Sequence, residues 1–436
     1  MKATSQLRCF LLILVVVSGL AATCAGAAGS DALMVGVSKV DITPEKPVQM
    51  MGYASRKDLS TGVHDPLFLR VTAFQQGNSR LVVVSIDNLG FYRGTYEYMM
   101  EGITAKLGLS TEEVILAAIH THSAPTLTID EEEGHPNNLA YTKNLRGVLI
   151  DTIREAESNL QPVRVGVGWG ESAVGVNRRE QRPNGSVTLG RNPQGVHDSE
   201  VLVLDFQKAD GTPLVSIYDY ATHATSLGNR NYVISGDLIG IASSKVEEIR
   251  GGDVIVAALV GASGDIDPWY RVLPGFRSGK GWVPETELLG QLLATDVVHA
   301  LERIEEYAET ATFDSVASQI LLPGKKRGQS IPEDGDDVPD VPLNLIAARI
   351  GDVGFLGMSA EVLTEVGWAI KRGSPFDRTM IVTHCNGARG YLPPAHRYKE
   401  GGYEIETSPY APGAADRAVK EALRLLHDLK RAQGEK

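Results

Sequence analysis

The chain has 436 residues, 43% of them hydrophobic and 22% charged, with a formal net charge of −12. That balance excludes the disordered and fibrous classes and allows a sizeable buried core. It also sets nucleic acid aside as a partner, because phosphate binding needs a basic face and no Lys/Arg cluster interleaved with aromatics is present.

In chain order, Lys2 and Arg8 precede an apolar run from Phe10 to Leu20 and a small-residue stretch from Ala21 to Gly29. This is the layout of a secretory signal peptide, and the run is short for a membrane span. The expected division is a signal peptide over 1–28 and one catalytic domain over 29–436, giving a secreted or periplasmic protein. Lipoprotein anchoring at Cys24 is disfavoured by the bulk of Thr23. Of the three cysteines, Cys9 and Cys24 lie in the leader, which leaves Cys385 as a buried core thiol without a partner for a disulfide or metal site.

Short β-branched runs alternate with helical segments, which predicts an α/β fold: a mixed β-sheet core covered by helices on both faces. Strands are expected at 81–87, 114–119, 163–169, 201–206, 214–222, 254–261, 345–358 and 380–384. Helices are expected at 95–107, 139–160, 237–250, 285–307, 361–372 and 414–432. In the fourth of these helices Leu288, Leu289, Leu292, Leu293, Val297, Leu301 and Ile304 form an apolar stripe for packing. Segments 179–197, 273–283 and 323–342 read as loops. The acidic residues of the last, among them Glu333, Asp334, Asp336, Asp337 and Asp340, lack calcium-loop spacing and read as solvated.

Chemistry concentrates at predicted strand ends. His120-Thr121-His122-Ser123-Ala124-Pro125 follows the apolar run 114–119, and strand C-termini are where α/β proteins bind ligands. Two histidines separated by one residue point to the same side of an extended segment, so both imidazoles reach one cleft. His223 ends the run 214–222, followed by Ser235-Gly236-Asp237 at a helix start. Gly261-Ala262-Ser263-Gly264-Asp265-Ile266-Asp267-Pro268 follows the run 254–261. Asp237 and Asp265 also suit helix caps or turns.

These motifs, with Val35-Gly36-Val37, Asp41-Ile42-Thr43, Met50-Met51-Gly52-Tyr53, Asn177-Arg178, Ser359-Ala360-Glu361, Asn386-Gly387, Tyr391 and Tyr403-Glu404, occur in the order seen in the neutral/alkaline non-lysosomal ceramidases. The chain resembles the catalytic domain of that family from about Val35 to Arg424. The resemblance implies one Zn2+ per chain held by His120, His223, Glu361 and Tyr391. It implies His122 as acid/base, and Arg178, Gly52 and Tyr403 lining the pocket, with Tyr403 and Arg178 steadying an oxyanion or substrate head group. Glu361 also suits a helix start, where the dipole favours a carboxylate.

The chain departs from the family at Asp267, where the motif Gly-Asp-x-Ser-Pro has serine, so attack by water rather than by a serine is expected. Asp267 is then a candidate for orienting a histidine or the substrate amine. The family's C-terminal β-sandwich domain is expected to be lacking. The implied function is zinc-dependent hydrolysis of N-acyl amides, with ceramide or a related N-acyl lipid as substrate and any membrane contact peripheral. The alternatives are an exported metal-containing lipid- or sugar-binding module without turnover and a two-metal phosphoesterase. An amidohydrolase barrel fits poorly, because strands precede the His-x-His pair and follow one another over 201–222 without a helix.

Overall fold

A computed structural model describes residues 32–269, 284–331 and 337–434. The predicted leader, the predicted loop 273–283 and the acidic residues Glu333, Asp334 and Asp336 lie outside the described residues. Seven α-helices are present among those described: α1 (Thr95–Leu107), α2 (Pro136–Ser158), α3 (Asp237–Ile249), α4 (Pro284–Glu302), α5 (Thr364–Gly373), α6 (Tyr403–Thr407) and α7 (Ala414–Gly434). No helix of the described residues is long and apolar enough to cross a membrane.

The sheet core consists of two sheets packed face to face. The larger runs in the order Ile255–Val260, Pro213–Tyr220, Glu200–Lys208, Gln161–Glu171, Met34–Asp41, Phe68–Gln76, Ser79–Ile86, Val114–Ala118, with Tyr307–Ala308 added beside Gln161–Glu171. The smaller runs Phe313–Leu322, Val341–Ile350, Val353–Met358, Arg378–Val382. Alternation along each strand assigns the two faces. Leu81, Val83, Ile115, Leu202, Leu204, Ala257 and Leu259 of the large sheet meet Ile346, Ala348, Phe355, Met380 and Val382 of the small one in one core.

The outer faces carry the helices. Val82, Val84, Leu116 and Ala118 pack on α1 and α2 through Met99, Ile103, Leu145 and Leu149. Val201, Val203, Val256 and Ala258 pack on α3 and α4, and Leu345, Leu356 and Ile381 pack on α5 and α7. The expected mixed α/β core with helices on both faces is therefore present, as a double sheet. At about 1.5–3 kcal/mol for each large apolar side chain buried, these four clusters supply the driving force for folding.

Several local expectations change. The run 345–358 is not one strand but the hairpin Val341–Ile350 and Val353–Met358, turned at Gly351 with φ 59°. The segment 179–197 contains the hairpin Gly175–Gln181 and Val187–Asn192. On α4, Leu289, Leu293 and Val297 are buried, but Leu288 and Leu292 face solvent, so the packing stripe is narrower than its sequence. Glu361 does not start a helix. It lies in the two-residue strand Glu361–Val362, and α5 begins three residues later.

Candidate metal centre

Four strand ends deliver the site. His120 follows Val114–Ala118, which runs parallel to Ser79–Ile86, and His223 follows Pro213–Tyr220, which runs parallel to Ile255–Val260. Glu361 and His384 follow Val353–Met358 and Arg378–Val382, the parallel pair of the small sheet. Parallel strands joined through helices end on the same side, so both sheets empty into one crevice. The sheets are stitched there by an isolated bridge between Ala117 and Cys385 and by Ala118 N–H donating to His384 O at 3.3 Å. Cys385 is fully buried, as expected, and burial pushes its thiol above the usual range.

The His-x-His segment is not simply extended. His120 has φ 60°, the left-handed region, and Thr121 forms a parallel bridge with Ala224. His122 N–H donates to Ala224 O at 3.1 Å. These links lay the His120 segment alongside the His223 segment, and both imidazoles still reach the same point, Nε2 to Nε2 3.3 Å. His384, Asn386 and Asp237 share the left-handed backbone, with φ 52–54°. Such conformations cost about 1–3 kcal/mol each in non-glycine residues and recur where a site constrains the chain.

The two inner histidines present their Nε2 atoms to a common space. Nδ1 of His120 bonds Leu89 O at 2.7 Å, and Nδ1 of His223 lies 2.8 Å from Ser263 O and 3.0 Å from Ile266 O. A carbonyl accepts, so Nδ1 carries the proton in each and Nε2 keeps its lone pair. Glu361 Oε2 is 3.7 Å from His120 Nε2 and 3.6 Å from His223 Nε2. Donors around one tetrahedral ion at 2.0–2.2 Å stand roughly 3.3–3.6 Å apart, so this spacing suits a shared cation. His223 Nε2 and Glu361 Oε2 are buried and have no other partner. Leaving such atoms unpaired costs about 1–3 kcal/mol each, which a bound ion removes.

Electrostatics favour the ligand form of each base. Burial, the first cause in all three, pushes His120, His122 and His223 below the ordinary histidine value. The neighbouring imidazoles add to this at His122, and Arg178 adds at His223. Neutral imidazole is the form that binds metals and accepts protons. Burial and then the Glu361 carboxylate raise the Tyr391 phenol well above its usual value, so it presents a neutral hydroxyl.

Among the described residues, two groups could hold a metal ion: His120, His122 and His223, and His120, Glu361 and His384. The second includes a histidine that sequence reasoning missed, although it ends a predicted strand as His120 does. His384 stacks on His120, ring centroids 3.5 Å apart and planes 11° from parallel. A lone pair lies in its ring plane, so two rings stacked face to face cannot both aim at one ion. Stacking therefore makes His384 a support for His120 in this arrangement.

Tyr391 is brought to Glu361 by pairing of Tyr391–Leu392 with Glu361–Val362, close enough for the carboxylate to raise its phenol. Tyr92, also unforeseen, is buried near enough for the same carboxylate, after burial itself, to raise its phenol. Gly264 packs directly behind: a Cβ there would lie 2.9 Å from Glu361 O, and Asp265 accepts from Thr364 N–H at 2.8 Å to fix the start of α5. Asp237 accepts the N–H groups of Ser226 and Leu227 at 3.2 Å, holding the loop after His223.

Arg178 is buried with every arm engaged: Nε on Glu404 at 2.7 Å, NH1 on Asp267 at 3.2 Å and NH2 on the Tyr391 hydroxyl at 3.0 Å. Asp267 is fully buried, and its oxygens take Arg178, Arg191 at 3.3 Å and Thr225 at 3.3 Å. A carboxylate committed to two arginines is a poor base, so these contacts favour positioning of Arg178 over the orientation of a histidine or an amine. Tyr403 is 43% exposed at the rim, its ring 5.7 Å from Tyr391. Gly52, with φ 107°, backs His122: a Cβ would stand 2.4 Å from Nδ1. It supports the imidazole.

Fold and site together define an α/β protein with a buried histidine–carboxylate centre at the crevice of two sheets. The family described as "Neutral/alkaline non-lysosomal ceramidase, N-terminal" matches residues 33–270, just over half of the chain, and the chain belongs to it. The neutral ceramidase of Pseudomonas aeruginosa is 29% identical over 256 residues, 55% of this chain and 38% of that protein. That of rice is 29% identical over 225 residues, 49% of this chain and 29% of that protein. The chain thus spans about a third of the length of these relatives. The crystal structure of the Pseudomonas enzyme superposes with a TM-score of 0.77 at 20% identity, covering 92% of this chain and 75% of that one, and so shares its fold. Glu361, Tyr391 and Tyr403 lie beyond the matched family segment.

Proposed function

We propose that the protein is an exported, zinc-dependent hydrolase of N-acyl amide bonds, acting on ceramide or a related N-acyl lipid. The observation that carries this reading is the pair of buried, otherwise unpartnered atoms His223 Nε2 and Glu361 Oε2, 3.6 Å apart beside His120 Nε2. His120, His223, Glu361 and Tyr391 would hold the ion, a set of N and O donors that zinc accepts. When bound, zinc supplies a Lewis acid that polarises the amide carbonyl.

The side chains do the rest. His122, neutral and beside His120, accepts a proton from the attacking water and returns it to the leaving amine. Tyr403, at the rim beside Tyr391, is placed to steady the developing oxyanion, and Arg178 orients the Tyr391 hydroxyl. Asp267 keeps Arg178 aimed at the Tyr391 hydroxyl. Export rests on the Lys2/Arg8 and Phe10–Leu20 pattern. A two-ion phosphoesterase is less well supported, since both candidate groups depend on His120, whose Nδ1 is spent on Leu89 O.

The test is bound-metal analysis of purified protein together with release of amine from fluorescent N-acyl lipids, with His122→Ala as control. One zinc per chain and turnover by wild type but not by the variant support hydrolysis. Absence of bound ion, or tight lipid binding without amine release, removes it.

A further inference from the structure

Arg191 sits on the strand Val187–Asn192, two residues after Leu189 and therefore on the same face. Its side chain turns inward to Asp267, NH1 to Oδ2 3.3 Å, while 25% of it stays open to solvent. Backbone carbonyls fix the guanidinium, Nε on Trp269 O at 3.1 Å and NH1 on Gly190 O at 2.6 Å. Its NH2 group has no acceptor among the described residues. Arg191 is within electrostatic reach of Arg178, Glu180 and Tyr53, and Glu180, paired with Arg182 at 3.0 Å, accepts the Arg191 backbone N–H at 3.2 Å. Asp267 joins Arg191 to Arg178, which bonds the Tyr391 hydroxyl, and Tyr53 packs its ring 4.9 Å from His122, so Arg191 stands on the Arg178 side of the centre.

Asp267 is shared by Arg178 and Arg191, while Glu404 is shared by Arg178 and Arg179 and Glu400 also meets Arg179. The partly open guanidinium of Arg191, its NH2 without an acceptor among the described residues, is the arm left to take a further anion. Covering it with a substrate that offers only hydroxyl groups would bury a guanidinium offset only by a carboxylate it shares with Arg178, which is costly. A carboxylate instead matches the planar fork and forms short, charge-assisted bonds. Leu189 and Trp269, 41% and 37% exposed, give apolar surface beside it for the remainder of the substrate.

We propose that Arg191 determines specificity by reading a carboxylate on the amine fragment, so that N-acyl amino acids are preferred over neutral N-acyl amino alcohols; this rests on the amide-hydrolase reading. The test compares N-octanoylglycine with N-octanoylethanolamine on the zinc-loaded full chain. Wild type favours the glycine conjugate tenfold or more in kcat/KM. Arg191→Gln brings the ratio near one, chiefly through KM, and Arg191→Lys keeps part of it. A wild-type ratio near one, or a ratio that Arg191→Gln does not move, overturns the inference. If neither amide is cleaved, the hydrolase reading fails, and calorimetric binding of N-octanoylglycine decides the inference alone. Tenfold weaker binding by Arg191→Gln upholds it and equal binding overturns it, with Arg191→Lys serving if the glutamine variant does not fold.

Discussion

Glu361 and Tyr391 are cross-strand neighbours in a parallel pair of two-residue strands, locked by Glu361 N–H donating to Gly390 O at 2.9 Å. This small ladder, rather than a helix start, sets the carboxylate against His120 and His223. The strand ends then hold both side chains on one face, where a helix terminus would have splayed them.

Removing a nitrogen donor tests the centre directly. His223→Ala is expected to lower zinc affinity at least a hundredfold by competition with a chromophoric chelator. Stripping the ion from wild type should lower stability by about 4 kcal/mol relative to a free zinc concentration roughly 1,000 times Kd. Equal melting temperatures with and without chelator would show that no ion is held in the fold.

Gly52→Ala places a methyl 2.4 Å from His122 Nδ1 and forces a φ of 107° on alanine. A cost of about 1–3 kcal/mol in stability is expected, together with a kcat loss of tenfold or more as the imidazole is displaced. Circular-dichroism melts and turnover on the same preparation separate the two. Retention of full kcat would detach Gly52 from His122.

Asp267→Ser installs the residue of the family motif and removes the partner of two arginines. Because Arg178 is buried, breaking this pair should cost about 3–5 kcal/mol in urea denaturation. A cost below about 1 kcal/mol would mean that Arg178 is neutralised without Asp267.

Asp219, 4% exposed on Pro213–Tyr220, has its carboxyl pushed up to about 8 by burial, which Lys371 only partly offsets. Its folded value is thus above the ordinary carboxyl value of about 4. The folded state binds the proton more tightly, so this group's contribution is complete below pH about 4 and is lost as pH rises through about 8. Asp219→Asn should flatten the fall of melting temperature across that window. An unaltered pH profile would show that Asp219 ionises normally.

The sequence alone determined much of this protein, because the signals involved are local. Helix α1 occupies the predicted residues 95–107, since apolar spacing and the glycine at its C-cap act within a few turns. His120 and His223 were found at strand ends because an apolar run followed by histidine needs no distant partner to be read. What lay beyond reach depended on contacts between remote segments. The division of the core into two sheets is written in which face each alternating residue buries, and that is settled only when the strands Val341–Ile350 and Val353–Met358 pack across Val83 and Leu204. Glu361 read as a helix start because its partner strand, Tyr391–Leu392, is only two residues long and carries no periodicity of its own. His384, Tyr92 and Arg191 were invisible for the same reason: each acts through a neighbour brought in by tertiary packing, and a lone histidine, tyrosine or arginine carries no mark of that neighbour in its own stretch of chain.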